Sequence, residues 1–200
     1  TAMRDGMQSY FDLINAQGGI NGNTIVLHAM DDGYEPKRCA PNMRSLINGK
    51  KVLAVLGNVG TPTAVVSVPI ANNSKTPLFG AFTGAGLLRK SPADRYILNF
   101  RASYAEETEA MIRGLIKELG IKAEEIAFFT QNDGYGDAGY NGAQKALKDI
   151  GYQKGALLAH GRYTRNTTDI EDGLLTILDA FTPPKAIIMV GAYKPCAAFI

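Results

Sequence analysis

The amino-acid sequence predicts an α/β fold with a largely parallel sheet, and three observations support this class. Short apolar runs alternate with helical patterns of about 10–15 residues along the whole chain. One run, at 52–56, is continuously apolar and ends in glycine, which is typical of a strand that is buried on both faces. At 46% hydrophobic and 20% charged, the 200 residues also have the composition of a globular protein with a sizeable core.

The first half opens with a helix, because Met3, Met7 and Ile14 recur at helical spacing until Gly18-Gly19 ends the pattern. The apolar run 52–56 ends in Gly57 and predicts a strand that is buried on both faces. The other elements predicted here are a strand at 24–27, a helix from Pro36, a helix at 63–73, and strands at 77–79 and 95–100.

The pattern restarts after Phe100-Arg101, as if a second, similar lobe began there. The elements predicted in this half are helices at 106–119, 138–150 and 169–181, strands at 126–129, 156–159 and 186–190, and a last helix near Pro195. A parallel sheet normally opens with a strand, whereas this chain opens on a helix and stops as another begins. We therefore expect the chain to be truncated at both ends.

Charge and composition exclude several function classes. The chain has 21 Lys+Arg and 19 Asp+Glu, a net charge of +2, so a nucleic-acid partner is not expected. No apolar run reaches the roughly 18 residues of a membrane span. The two cysteines, Cys39 and Cys196, lie far apart and are expected to be free thiols, and with two histidines they predict no metal site and no cofactor. No G-x-S-x-G motif occurs, so the sequence does not predict an enzyme.

Ligands of parallel sheets bind at the carboxyl ends of the strands, which draws attention to two glycine-rich loops. The loop at 57–63 combines glycines, a helix start and the hydroxyl of Thr61 or Thr63, which suits an anionic group such as a carboxylate. Alternatively, Thr61 is only the N-cap before Pro62. The loop at 80–86 also follows a strand and lacks the phosphate-loop pattern, and its alternative is a flexible turn.

Two later loops place a tyrosine just after a buried strand. Tyr135 and Tyr193 occupy these positions, and Tyr104 lies near a third loop. A phenol ring suits a ligand that is partly polar and partly apolar, so we interpret these tyrosines as a pocket wall. The neighbouring Asp133 and Asp137 are interpreted as turn residues.

Several motifs together resemble a known family. They are N-A-Q-G-G-I-N-G at 15–22, D-D-G-Y-E-P-K at 31–37, G-T-P-T at 60–63, F-T-G-A at 82–85, R-A-S-Y at 101–104, D-G-Y-G at 133–136 and V-G-A-Y at 190–193. The chain is similar over essentially its whole length to the type I periplasmic solute-binding proteins of ABC importers, the leucine/isoleucine/valine-binding group. The G-T-P-T, F-T-G-A and R-A-S-Y versions indicate one subgroup.

The resemblance implies two Rossmann-like lobes with mainly parallel sheets, joined by a hinge near Arg101, at residues 1–101 and 102–200. It also implies a set of ligand-binding positions, to which we add Tyr104 from its place on the loop. The set is Thr61, Ala81, Phe82, Thr83, Tyr104, Glu106, Tyr135 and Tyr193. In this resemblance, Tyr34 and Gly60 stand where branched-chain binders have a paired disulfide. The family's acidic partner for a ligand ammonium lies beyond Ile200.

The function implied is that of a periplasmic, extracytoplasmic component of an ABC importer, which closes on an amino acid or a similar small carboxylate and docks on a membrane permease. The alternative is the ligand-sensing ectodomain of a signalling receptor with the same fold. An enzyme on this scaffold is a third reading, disfavoured because the sequence has no nucleophile or acid–base pair.

Overall fold

The computed structural model describes residues 2–200, in which helices and strands alternate. The α-helices are α1 (Ala2–Ala16), α2 (Pro36–Arg44), α3 (Thr61–Ser74), α4 (Tyr104–Lys117), α5 (Gly134–Asp149), α6 (Glu171–Leu178) and α7 (Tyr193–Phe199). The strands are β1 (Val55–Leu56), β2 (Leu78–Phe79), β3 (Ile97–Leu98), β4 (Ile126–Gln131), β5 (His160–Tyr163) and β6 (Ala186–Val190). This alternation confirms the predicted α/β class.

The first sheet has the strand order β1-β2-β3 with parallel pairing throughout. Val55 and Leu78 are buried on one face of this sheet, whereas Leu56, Phe79 and Leu98 are exposed at 36%, 47% and 46%. Successive side chains of a strand point to opposite faces, so this pattern leaves one face open. The prediction that the run 52–56 is buried on both faces is therefore wrong.

The second sheet has the order β5-β4-β6, again parallel, with β4 in the centre. The predicted strand at 126–129 is confirmed as part of β4, and all six residues of β4 are buried, so this strand is covered on both faces. Helices α4 and α5 pack on one face, where Ile112 and Leu147 join Phe128 in one hydrophobic cluster. The other face holds a cluster built around Phe129.

Each sheet has its own core, so the chain forms two lobes. The first-lobe core consists of Cys39, Met43, Val55, Val68, Ala71, Leu78, Ala81 and Leu88. Between the two sheets the chain runs from Leu98 to Tyr104, where α4 begins. The division at residues 101 and 102 lies in this connection and stays a prediction.

Local sequence explains where the helices begin. Pro36 is the first residue of α2, as expected for a residue that lacks an N–H and is preset to the helical φ. Ser103 and Glu106 form a capping box at the start of α4. Asp133 caps α5 by accepting a hydrogen bond from the Tyr135 N–H at 3.0 Å, which agrees with its interpretation as a turn residue. Asp137 lies inside α5 and pairs with Arg162 at 2.5 Å, so the same interpretation is wrong for Asp137.

Two predicted strands are wrong. Residues 24–27 are extended, but in the described part of the chain they pair with no strand; instead the Asn15 side chain bonds both backbone groups of Ile25, at 2.9 and 2.7 Å. The run 156–159 was predicted as a strand, but Gly155–Leu157 is a 3-10 turn, held by a 3.0 Å bond from Gln144 Nε2 to Gly155 O. The strand begins later, at His160.

Candidate functional site

The first-lobe part of the candidate site is a pair of buried threonine hydroxyls. Thr61 follows β1 and Thr83 follows β2, and their Oγ1 atoms lie 2.7 Å apart. Thr61 is 4% exposed and Thr83 is 0% exposed. Thr61, predicted from its glycine-rich loop, and Thr83, implied by the family resemblance, are therefore brought together at the carboxyl ends of two adjacent parallel strands.

Thr61 is also the first residue of α3, whose N-cap position is Gly60. No side chain among residues 2–200 caps this helix end. Its first-turn N–H groups and the positive end of the helix dipole therefore favour an anion. The start of α5 faces the same point, because a Cβ atom added to Gly134 would lie 3.9 Å from Thr61 Cγ2.

The second-lobe part is a pair of aromatic rings. The ring centroids of Tyr104 and Tyr135 are 5.0 Å apart, and Tyr104 is only 7% exposed. The Tyr104 N–H donates to Gly84 O at 2.9 Å, which fixes this ring against the Thr83 loop of the first lobe. The Tyr135 hydroxyl donates to Gly191 O at 3.3 Å. Both predicted tyrosines thus lie in the space between the lobes.

The other predicted residues are more scattered. Ala81 is buried below Thr83, and Phe82 is 47% exposed with the Arg101 guanidinium 5.4 Å from its ring centroid. Glu106 is engaged in the α4 cap, where its Oε2 accepts from the Ser103 N–H at 2.6 Å. Tyr193 is 86% exposed at the start of α7 and is not brought into the cluster.

The sequence analysis missed four residues of this region. They are Tyr34, Gln131, Tyr163 and Arg165. Gln131 is fully buried, donates through Nε2 to the Tyr34 hydroxyl at 3.2 Å, and accepts through Oε1 from the Tyr163 hydroxyl at 3.0 Å. The Tyr163 hydroxyl in turn accepts from the Ala192 N–H at 2.7 Å. Tyr163 is the last residue of β5, and this place at the carboxyl end of a strand is the signal that could have identified it.

The phenol groups of Tyr34, Tyr135 and Tyr163 are held in their neutral form. Burial raises the pKa of Tyr163 to about 12. Burial also raises the pKa values of Tyr34 and Tyr135, and their mutual charge repulsion with Tyr104 adds to this effect. At neutral pH the region between the lobes therefore offers hydroxyl donors and apolar ring faces to a ligand.

Neither a metal site nor a membrane-spanning helix is found in the described residues. Among residues 2–200, no three His, Cys, Asp or Glu side chains are grouped so that they could hold a metal ion. No helix in that range has the length and apolar character of a membrane-spanning segment. Both cysteines are free thiols, as predicted.

Comparison with known proteins gives a family match over the whole chain. The model of the family described as "Periplasmic binding protein" matches residues 1–200. A possible leucine/isoleucine/valine-binding protein from Rhodopirellula baltica SH 1 is 52% identical, with a TM-score of 0.92 over 98% of this chain and 52% of that one. A substrate-binding periplasmic protein from Ralstonia solanacearum is 28% identical, with a TM-score of 0.86 over 98% of this chain and 53% of that one.

An amino acid binding protein from Pseudomonas aeruginosa is 25% identical over 149 residues, which are 70% of this chain and 37% of that protein. The chain thus spans about half the length, or less, of the proteins it matches. These matches confirm the type I periplasmic binding fold predicted from the motifs, whereas the proposed subgroup stays a prediction.

Proposed function

Because the chain belongs to the periplasmic binding protein family, we propose that it is part of the solute-binding component of an ABC importer, which binds an amino acid or a similar small carboxylate between two lobes. Relatives that are named as amino-acid-binding and possible leucine/isoleucine/valine-binding proteins support this ligand class. The family description supports an extracytoplasmic location, which we propose is the periplasm. The membrane permease is part of the proposed importer role.

The observation that carries the proposal is the hydroxyl pair of Thr61 and Thr83 at the uncapped start of α3. A carboxylate has two acceptor oxygens and a full negative charge. Two hydroxyl donors beside free helix N–H groups satisfy both oxygens, and the helix dipole favours the charge. We propose that Ala81 holds the Thr83 loop in place and that its backbone contributes to the same subsite.

The second lobe supplies the apolar part of the proposed pocket. We propose that Tyr104 and Tyr135, whose rings are tilted by 44° at a centroid distance of 5.0 Å, form its wall, and burial raises the pKa of the Tyr135 hydroxyl. Closure over a bound carboxylate would exclude water and strengthen its hydrogen bonds. Phe82 lies at the edge of this region, where Arg101 covers its ring.

Two of the proposed ligand positions take different roles. Glu106 is assigned a positioning role, because its carboxylate caps α4 and so holds Tyr104, the first residue of that helix. Tyr193 stays a proposed ligand position at the start of α7, where its side chain is 86% exposed and open to a ligand. The relatives are named as binding proteins, which supports a function without catalysis.

A thermal-shift screen of the full-length protein tests the proposal. The probes are the twenty L-amino acids, short aliphatic and aromatic carboxylates, and small amides as uncharged controls. A ligand at about 100 times its Kd adds about 2.7 kcal/mol to the free energy of unfolding and raises the Tm measurably. We expect a rise with at least one α-amino acid or carboxylate. A rise with amides alone, or with no compound, would contradict the proposed ligand class.

A further inference from the structure

A cluster of polar side chains joins the two lobes beside the hydroxyl pair, since the ring of Tyr34 lies against Gly60. We call it the rim cluster, and its members are Tyr34, Glu35, Gln131, Asp133, Arg165 and Asn166. Tyr34 and Glu35 precede α2 in the first lobe. The other four belong to the second lobe: Gln131 ends β4, Asp133 follows it, and Arg165 and Asn166 follow β5. None of them belongs to the ligand set proposed above.

Arg165 binds carboxylates of both lobes at once. Its Nη2 lies 2.9 Å from Glu35 Oε2 in the first lobe, and its Nη1 lies 3.0 Å from Asp133 Oδ2 in the second lobe. The Arg165 side chain is 25% exposed and that of Asp133 is 17% exposed, so this pairing is partly shielded from water. A planar guanidinium has enough donors to serve two carboxylates, which suits it to a bridge between lobes.

Asn166 adds two more bonds across the same boundary. Its Nδ2 donates to Glu35 Oε1 at 2.6 Å and to Gly33 O at 3.2 Å. Asn166 has a φ of +63°, a left-handed conformation that asparagine tolerates better than most residues. Glu35 is therefore contacted by two side chains of the second lobe, and the bond from Arg165 lowers the pKa of its carboxyl.

Tyr34 makes the third connection, through its hydroxyl. The hydroxyl accepts from Gln131 Nε2 at 3.2 Å, and Gln131 also donates to Asp133 Oδ2 at 2.8 Å. Tyr34 has a φ of +63°, an outlier for a bulky side chain, and its N–H donates to Asp32 Oδ1 at 2.9 Å. Such strained residues persist where surrounding contacts hold them, and they concentrate at functional and switching positions.

We propose that the rim cluster is a clasp that holds the two lobes closed even without ligand. Its two main contacts join Arg165 to Glu35 and Gln131 to Tyr34, with the first member of each pair in the second lobe. The inference rests on the proposed two-lobe binding function. A clasp raises the population of the binding-competent closed form, and so raises the apparent affinity for any ligand that the closed form binds. Because its central contact is an ion pair near solvent, salt weakens it.

The test measures the distance between the lobes in ligand-free, full-length protein. Spin labels are placed on exposed positions far from the cleft, Asn73 in the first lobe and Lys148 in the second, after Cys39 and Cys196 are replaced by serine. Pulsed electron paramagnetic resonance then gives the fractions of closed and open molecules. The distance distribution is recorded for the spin-labelled protein with an unchanged rim cluster, for its Glu35→Gln variant and for its Tyr34→Phe variant, each at low and high NaCl.

The matched control is Glu109→Gln. Glu109 pairs with Arg113 at 2.8 Å within α4, so the control removes an equivalent ion pair that does not cross between lobes. We expect the closed-to-open ratio to fall roughly three- to fivefold in Glu35→Gln and in Tyr34→Phe, and to stay unchanged in Glu109→Gln. We also expect NaCl to reduce the ratio in the unsubstituted protein but not in Glu35→Gln.

Equal ratios in Glu35→Gln, Tyr34→Phe and the control would overturn the clasp, and so would the absence of any closed fraction in the unsubstituted protein. Tyr34→Phe keeps the ring and its packing, so it stays informative if Glu35→Gln folds poorly. The measurement uses no ligand, so it can be interpreted even if the amino-acid screen finds no binding. Failure of the screen alone would reject the proposed ligand class and leave the clasp standing.

Discussion

The ring of Tyr34 lies directly against Gly60, so closely that a Cβ atom added to Gly60 would stand 1.9 Å from Tyr34 Cε2. These are the two positions at which the resembled branched-chain binders carry a paired disulfide. Here an aromatic ring packed on a glycine joins the same two loops. Gly60 also has a φ of +94°, which a side chain would strain.

Gly60→Ala is expected to destabilise the protein by about 2 kcal/mol or more, because it combines strain at a positive φ with a collision against Tyr34. Chemical denaturation of the two proteins measures the difference. Gly86→Ala is the control, since a Cβ atom there meets nothing within 4 Å, and it should change stability little. Similar stabilities for Gly60→Ala and the parent would show that the ring moves away freely.

Thr61→Val is expected to weaken the binding of a carboxylate ligand by roughly 1–3 kcal/mol, because it removes a hydrogen bond to a charged group while keeping the shape of the side chain. Isothermal titration calorimetry with the best compound of the screen measures this loss. Thr76→Val is the control, because Thr76 is a buried threonine on the far side of the same lobe. If both variants bind as the parent does, Thr61 does not contact the ligand.

His160 is expected to make stability fall on acidification. Its ring stacks on Tyr140 at a centroid distance of 3.9 Å, and its Nε2 lies 2.8 Å from Thr130 Oγ1. Burial lowers the pKa of His160 to about 4, and the nearby charge of Arg162 adds to this effect, whereas that of Asp137 opposes it.

Between pH 6.5 and 4 the unfolded chain therefore binds a proton at His160 that the folded protein does not. Stability is lost as pH falls through this window, by roughly 1–2 kcal/mol once solvent screening is allowed for. Denaturation curves at pH 7.0, 6.0 and 5.5 should show this slope in the parent and a smaller one in His160→Gln. Substitution of the exposed His28 by glutamine is the control. An equal slope in His160→Gln would contradict the assignment.

The two thiols are expected to react slowly in the folded protein. Cys39 is 2% exposed, and burial raises its pKa to about 11, while burial also raises the pKa of Cys196. The reactive thiolate is therefore scarce at pH 8. Titration with a thiol reagent should give two groups in guanidinium chloride and far slower labelling of Cys39 under native conditions. Rapid native labelling of both would show that the first-lobe core opens readily.

The alternation of elements was enough to predict the α/β class, and the rule for strand ends drew attention to the loop that holds Thr61. The role of Thr83 followed only from the family resemblance. Thr61 and Thr83 each follow a strand, and adjacent parallel strands bring their carboxyl ends together. The apolar run at 156–159 was not enough to place a strand, because so short a run does not distinguish a strand from other kinds of structure. In the structure a polar contact from Gln144 decides the outcome.

The rim cluster could not be predicted in this way. Gln131 and Tyr34 are 97 residues apart, and Arg165 and Glu35 are 130 residues apart. Isolated charges in loops have no periodicity that would indicate a partner, and their pairing follows only from how the lobes meet. Tyr193 shows the reverse limit, since its position after a strand predicted a pocket residue and the structure leaves it 86% exposed.

The most direct test of the central claim compares a ligand with its own amide. Calorimetric titration of the full-length protein with the strongest carboxylate or amino acid from the screen, and with the corresponding carboxamide, isolates the group that Thr61 and Thr83 are proposed to bind. We predict one site per chain for the acid and at least roughly tenfold weaker binding of the amide, since a charge-assisted hydrogen bond is lost. Equal affinities for acid and amide would contradict a carboxylate at the hydroxyl pair.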